Sequence, residues 1–342
     1  MNELYPLKFK PIFKDKIWGG DKVKLLYGLD FSPLPNCGEV WSLSGYQENI
    51  SVVQNGFLAG NDLDELLEVY MGDLVGEKVF AQFGEKFPLL IKIIDSNDWL
   101  SIQVHPGDEL AQKRHNANGK TEMWYALDAE KGAELISGFN QKVTKEEYLK
   151  HLQDKSLKEI LNFEKVEKGD VFFMPAGRVH ALGPGLVIAE IQQTSDLTYR
   201  IYDFDRVDDE GNSRQLHNDL ALDAIDFSLY PDYKTHYLQK HNQTVSLVKS
   251  PYFITNLLDF DKPIDKDYTS LDSFVIYLCT SGSCKVITAG HGENLSMGET
   301  MLIPATSGEI ELVPSPSAKL LEIYILYVLS VKNEKLKTKS LL

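Results

Sequence analysis

The chain has 342 residues, 43% of them hydrophobic and 25% charged, which is enough apolar material for a sizeable core in one large unit or two domains. Its formal charge of −15 repels nucleic-acid backbones and anionic membrane surfaces, and no run approaches the roughly 18 uninterrupted apolar residues of a membrane span. The N-terminus lacks a basic-then-apolar signal pattern, and Cys37, Cys279 and Cys284 are too few and scattered for a disulfide framework or thiolate metal site; a cytoplasmic protein with reduced thiols is expected.

Up to about Gly60, apolar segments mixed with Gly, Pro and Asn predict short strands and turns, including Gly38 to Ser44. From Asp62, a suitable N-cap, Leu63, Leu66, Leu67, Tyr70 and Met71 recur at helical spacing and predict a helical insert over about 62–83. Beyond Pro88 the β-prone runs Leu89 to Ile94 and Leu100 to His105 predict strands. A second helical insert, over 144–163, opens with Thr144 and Glu147 in capping-box spacing. Strands resume at Asp170 and continue with interruptions, and the Lys- and Ser-rich tail after Val331 is expected to fray.

An internal repeat runs through this pattern. Met123 to Leu127 leads through a turn to Gly132 to Gly138, and Phe274 to Leu278 leads to Gly282 to Ile287, each read as a hairpin. Each is followed by a matching segment, Lys168 to Ala176 in the first copy and Met297 to Ala305 in the second. Paired short strands with such turns predict a mainly β fold of two jelly-roll barrels with helical insertions. The expected division is 1–235 and 236–342.

Gly169, Pro175, Gly177 and His180 fit the second cupin motif, in which the glycines and proline shape a bend that aims the His into a barrel mouth. The fold expected is therefore a bicupin. Gln103 and His105 stand two apart on a predicted strand, so both side chains leave the same face, and Glu122 opens the next strand. With His180 these residues offer two imidazoles, a carboxylate and an amide oxygen, a set suited to Zn²⁺ with an open position; the ligand types also admit Mn²⁺, Fe²⁺, Co²⁺ or Ni²⁺. Alternation places Glu190 with Gln192 on one strand face and Arg200 with Thr198 and Tyr202 on the next, so Glu190 and Arg200 either pair or serve the site. Lys92, inside an apolar run, and Lys120, two residues before Glu122, add local positive charge. In the second copy Thr306 and Glu309 stand where the first has Gly177 and His180, so that barrel is expected to hold no metal and to serve packing.

Several runs, in this order, resemble the mannose-6-phosphate isomerases, in particular their shorter bacterial form: Ile17 to Gly20, Pro88 to Lys92, Leu100 to Pro106, Lys120 to Tyr125, Pro175 to Ala181 and Glu190 to Asp203. The resemblance implies Gln103, His105, Glu122 and His180 as ligands of one zinc ion per chain. It places Arg200, Lys120 and Glu190 in the active site, with Lys92, Ser101 and Trp18 on substrate-side segments. The implied reaction interconverts mannose 6-phosphate and fructose 6-phosphate through a cis-enediol, whose developing oxyanions need nearby positive charge. Longer members of the family carry His-Lys-Pro-Glu where this chain has Gly119-Lys120-Thr121-Glu122, so no proton-transfer role for that His operates here, and the base stays unassigned. The residues alone also admit another metal-dependent cupin enzyme, an oxygenase or a different sugar isomerase, and a non-catalytic sugar-phosphate-binding module.

Overall fold

The computed structural model describes residues 3–208 and 210–326, so the tail after Val331 lies outside the described residues. The fold is mainly β, with three principal sheets. A six-stranded antiparallel sheet runs in the order Val171–Met174, Glu122–Ala129, Leu186–Gln193, Leu89–Ser96, Glu39–Leu43, Ile12–Lys14. A five-stranded sheet runs Leu161–Lys165, Glu134–Phe139, His180–Leu182, Ile102–Val104, Tyr199–Tyr202. The main path of an eight-stranded sheet is Leu7–Lys8, Thr300–Ile303, Val275–Thr288, Glu309–Tyr324, Ile254–Phe260, Gln243–Lys249. No closed barrel forms among the described residues.

The six-stranded sheet is the middle layer. Strands Leu89–Ser96 and Leu186–Gln193 are buried along their whole length, which is why Leu89 to Ile94 reads as a near-continuous apolar run. One face, with Val40, Ile91, Ile93, Ala189, Ile191 and Met123, shares a core with Leu257, Phe274, Ile276, Leu321 and Ile323 of the eight-stranded sheet. The other face turns toward the five-stranded sheet, around Trp18, Ile94, Leu100, Trp124, Phe172 and Leu182. The outer face of the five-stranded sheet, with Ile102, Val104, Tyr199 and Ile201, is covered by helical residues including Tyr148 and Ala221.

The predicted N-cap at Asp62 and the predicted capping box at Thr144 both form, and Asp62 also makes a capping box with Glu65. Asp62 accepts from the Glu65 backbone N–H while Glu65 accepts from that of Asp62, and Thr144 and Glu147 exchange the same pair. The first insert is helical over Leu63–Val75, with a kink at Met71 where φ is 46°, and over Glu77–Phe83, with a break between them at Gly76 where φ is 96°. The second is shorter than expected: the α-helix spans Lys145–Gln153, a 3₁₀ turn follows at Leu157–Glu159, and Leu161–Lys165 is strand. Short helices at Lys22–Tyr27, Asp108–His115 and Asn218–Ala224 interrupt stretches expected to be strand and turn.

The expected hairpins are corrected in both copies. Glu122–Ala129 and Glu134–Phe139 do not pair; the turn between them carries the chain from the six-stranded to the five-stranded sheet. In the second copy Val275–Thr288 is one strand, its register on Glu309–Tyr324 shifting between Cys279 and Ser281 and again between Gly282 and Cys284. Such bulges bend a strand without ending it. The repeat itself is visible in strand order. Val171–Met174, Glu122–Ala129, Leu186–Gln193, Leu89–Ser96 and Glu39–Leu43 correspond, neighbour for neighbour, to Thr300–Ile303, Val275–Thr288, Glu309–Tyr324, Ile254–Phe260 and Gln243–Lys249.

Candidate metal centre and substrate cavity

Two polar rows face each other between the six- and five-stranded sheets. In the first, register sets Trp41 opposite Lys92, Lys92 opposite Glu190 and Glu190 opposite Trp124; Glu122, two residues before Trp124, shares its face. In the second, Ser137, His180, Gln103 and Arg200 lie side by side on four adjacent strands. His180 is delivered by the turn at Gly177, whose φ of 90° suits glycine, and whose added Cβ would stand 3.0 Å from the Ala224 carbonyl.

His105, Glu122 and His180 converge, their donor atoms all within 4.8 Å of one another, and all three residues are buried. The Nδ1 of His105 lies 2.7 Å from the Leu197 carbonyl and that of His180 2.8 Å from the Arg178 carbonyl. Each Nδ1–H donates there, so each Nε2 keeps its lone pair toward the centre. These nitrogens lie 3.6 Å and 3.5 Å from the two Glu122 oxygens. Burial, with the nearby Lys120 ammonium, holds the His105 pKa well below its ordinary value, and burial brings that of His180 down to about 4. Both rings are neutral at neutral pH, the state a metal needs. Glu122 Oε1 is buried without a hydrogen-bond partner, a costly arrangement that a bound cation would relieve. The residues present fit a divalent cation. Gln103 also reaches the group: its Nε2 is 3.4 Å from His180 Nε2 and its Oε1 accepts from Ser101 Oγ at 3.1 Å. To offer its oxygen to a metal, the amide turns over.

The centre opens into a cavity of about 250 Å³ whose lining includes Trp18, Lys92, Ser101, Lys120, Glu190 and Arg200. Lys120 Nζ stands 3.2 Å from His105 Nε2, donates to Glu122 Oε2, and is 3.8 Å from Glu190. All the sequence-predicted site residues thus gather in one place, and of the two alternatives left open for Glu190 and Arg200, pairing with each other is not realised. Glu190 lies 3.5 Å from Lys92 and accepts from Trp124 Nε1 at 3.0 Å, because its neighbours across the sheet are Lys92 and Trp124, while Arg200 belongs to the opposite sheet. Burial and the Glu122 charge raise the Glu190 pKa, against the pull of Lys120 and Lys92.

Lys92 is only 3% exposed and has three carboxylates within 3.7 Å, those of Glu39, Glu190 and Asp196, with the Trp41 ring 5.0 Å away. Burial alone would lower its pKa, but the carboxylates outweigh burial and raise it. Arg200 is the contrasting cation: Nη1 donates to the Gln215 carbonyl at 2.8 Å, Nε is buried without a partner, and no carboxylate pairs with it among the described residues. Burial and the neighbouring Arg214 charge lower its pKa.

Sequence reasoning missed four charged lining residues, Lys16, Glu39, Asp196 and Arg214. Glu39 announces itself weakly, as an acid opening the strand Glu39–Leu43; its pKa falls to about 2 because Lys92 and Lys16 outweigh burial. Arg214 comes from a loop and is pinned by Asp203, through Nε at 2.7 Å and Nη2 at 2.5 Å.

Residues 6–144 match the phosphomannose isomerase type I catalytic domain. The mannose-6-phosphate isomerase ManA of Bacillus subtilis is 37% identical over 314 residues, 90% of this chain and 95% of that protein. The chain belongs to the mannose-6-phosphate isomerase family. A second family member, from Streptococcus mutans, is 34% identical over 319 residues, covering 91% of this chain and 98% of its own. The crystal structure of a Bacillus subtilis mannose 6-phosphate isomerase superposes with a TM-score of 0.84 at 30% identity, over 94% of this chain and 99% of the other. Among the described residues, no helix is long and apolar enough to cross a membrane.

Proposed function

We propose that this member of the family interconverts mannose 6-phosphate and fructose 6-phosphate, and that His105, Glu122, His180 and Gln103 hold one Zn²⁺ per chain for that purpose. The observation that carries the reading is the convergence of three buried donors, reached through His180 from a cavity that also presents Arg200 without a carboxylate partner. The imidazole, carboxylate and amide set suits zinc. When bound, the cation would stabilise negative charge developing on the sugar oxygens as the proton moves between C2 and C1.

The chain's own groups have separable tasks. Lys120, beside the donor set, adds positive charge where the enediol oxygens develop theirs. Glu190, buried and with a raised pKa, is the favoured acid–base group, since a carboxyl shifted toward neutrality both accepts and returns a proton. Arg200 takes the phosphate, because its guanidinium offers free donors. Lys92 is assigned to holding Glu190 and Glu39 in place; its three carboxylate neighbours leave it no charge to spare. Trp18 and Ser101 shape the cavity wall and orient Gln103.

We read the architecture as a bicupin, with 1–235 forming the catalytic unit and 236–342 a second unit without metal. The matching five-strand order of the two larger sheets supports this. Three free, buried cysteines fit a reducing cytoplasm. The deciding experiment is an assay of metal-replete protein with mannose 6-phosphate, read as fructose 6-phosphate formed, with metal content measured on the same sample. Binding without turnover would leave a sugar-phosphate-binding module, and strict dependence on O₂ would replace the isomerase with an oxygenase.

A further inference from the structure

We propose that the eight-stranded sheet carries a second ligand site, for an uncharged saccharide, in the groove formed by Asn256, Ile264, Lys266, Tyr268, Glu322 and Tyr324. The groove measures about 550 Å³, within the roughly 300–1,000 Å³ of small-molecule clefts.

Its floor is a buried polar cluster in an otherwise apolar core. Glu322 is 1% exposed; its Oε1 accepts from Tyr268 Oη and lies 2.6 Å from Lys266 Nζ, while its Oε2 accepts from Asn256 Nδ2 at 2.7 Å. Tyr268 Oη is in turn 2.5 Å from Tyr277 Oη. Around them Val275, Cys279, Leu258, Leu320 and Ile303 are buried. Glu322 is buried while Lys266 is partly exposed, and burying a carboxylate gives up hydration that its partners return only in part, where an apolar group of the same volume often stabilises as well or better. The cluster is therefore weak evidence of a purely structural role.

Its position supplies the second argument. Glu322 stands opposite Asn256 on one neighbouring strand and Tyr277 on the other, as Glu190 stands opposite Lys92 and Trp124. Since the two sheets share strand order, Glu322 occupies the place in its sheet that Glu190 holds at the candidate active site, and each carboxylate lines a cavity.

The chemistry of the walls selects the ligand. A metal is disfavoured, because the groove's carboxylates at Asp265, Asp267 and Glu322 do not converge as the donors of His105, Glu122 and His180 do. An anion is disfavoured: Lys266 is already engaged with Glu322 and, at 3.0 Å, with Thr244 Oγ1, so a phosphate would meet the carboxylate without a free cation. With Tyr268 Oη, Glu322 Oε1 and Asn256 Nδ2 engaged with one another, what the groove still offers is the Asn256 amide oxygen, the Tyr324 hydroxyl, which has only a 3.5 Å contact from Asn256 Nδ2, and the remaining lone pair of Glu322 Oε2, beside the apolar faces of Ile264, Leu271 and the tyrosine rings. A pyranose has that complement, with hydroxyls that donate and accept around an apolar C–H face.

Saturation-transfer NMR and calorimetric titration of the full metal-replete chain with methyl α-D-mannopyranoside, which cannot open and isomerise, tests the site. Saturable binding is expected, weakened at least about tenfold by Thr244→Trp, which puts an indole across the exposed rim, and by Glu322→Gln. Arg200→Ala should leave this binding intact, and Thr244→Trp should leave isomerase turnover intact. Should Glu322→Gln fail to fold, Thr244→Trp decides alone. The proposal is overturned by absence of saturable binding up to about 50 mM, by binding that Thr244→Trp does not weaken, by loss of binding in Arg200→Ala, or by inorganic phosphate competing for the groove.

Discussion

Replacing Lys92 by Met tests whether this lysine neutralises buried carboxylates or receives the substrate phosphate. The side chain is buried against Glu39, Glu190 and Asp196 at 3.5–3.7 Å, and methionine keeps most of its volume while removing the charge. The fall of the Glu39 pKa from 4.5 to about 2 corresponds to roughly 3 kcal/mol of favourable interaction, shared with Lys16. Breaking a buried pair by removing one partner costs about 3–5 kcal/mol, so Lys92→Met should lose about 3 kcal/mol at neutral pH, or roughly 5–15 °C in Tm. The pH dependence has a definite sign. In the native chain Glu39 has a depressed pKa, so its contribution is present above the ordinary carboxylate range and is lost as the pH falls through about 2. Without Lys92, burial drives the Glu39 and Glu190 pKa values upward, and each buried carboxyl then loses stability as the pH rises through its raised value. The stability gap between native chain and variant should therefore widen from about pH 5 to about pH 8. Thermal or urea unfolding across that range checks it. A gap that is independent of pH would refute the reasoning, and a variant as stable as the native chain with a large rise in KM for mannose 6-phosphate would also assign Lys92 to the phosphate.

His105→Ala and His180→Ala should each release the metal and abolish turnover; elemental analysis beside the assay checks this, and activity in metal-free variants would remove the ligand assignment. Arg200→Ala should retain the metal and lose roughly 10- to 150-fold in kcat/KM for the phosphorylated sugar, the value of one or two charge-assisted hydrogen bonds. A metal-replete Arg200→Ala with normal kcat/KM would place the phosphate elsewhere. Glu309→Gln should leave turnover near normal, since Glu309 is exposed at the start of its strand; a collapse in rate without unfolding would show that the eight-stranded sheet takes part in the reaction.

The candidate metal donors were legible because each is written in local sequence. Gln103 and His105 need only strand alternation, Glu122 begins its strand, and the glycines at 169 and 177, with φ of 93° and 90°, mark the turns that deliver His180. Distances between strands are not written this way. Alternation gave the face of Glu190 correctly, but its partners follow from a register joining strands about a hundred residues apart, which put Lys92 beside it and Arg200 across the cavity. Glu39 entered the site through the same long-range pairing, opposite Ile94, and Arg214 through a loop whose course depends on Asp203. The overlong helix has a local cause. Leu157, Ile160 and Leu161 recur at helical spacing and are buried, yet a 3₁₀ turn and a strand bury them; no Gly or Pro after Gln153 signals the stop. The turn after Ala129 looks like a hairpin because a turn redirects the chain without specifying which sheet receives it.

That dependence on register gives the eight-stranded sheet a part in shaping the candidate site even though none of the candidate metal donors lies on it. In Leu89–Ser96 and Leu186–Gln193 a slip of one residue would exchange the two faces, sending Lys92 and Glu190 into the apolar core and Ile91, Ile93 and Ile191 into the cavity. Polarity alone resists this weakly on the cavity side, where Ile94 and Trp124 stand among the charges. The opposite face resists it strongly: Ile91, Ile93, Ala189 and Ile191 fill a core against Phe274, Ile276, Leu321 and Ile323, and each large aliphatic side chain buried there contributes about 1.5–3 kcal/mol. Placing Lys92 or Glu190 against that core would add the cost of an unpaired buried charge. Packing between the two larger sheets thus selects the register that aligns Lys92, Glu190 and Trp124, and a mutation that loosens Phe274 or Leu321 should disturb this polar row from the far side of the sheet.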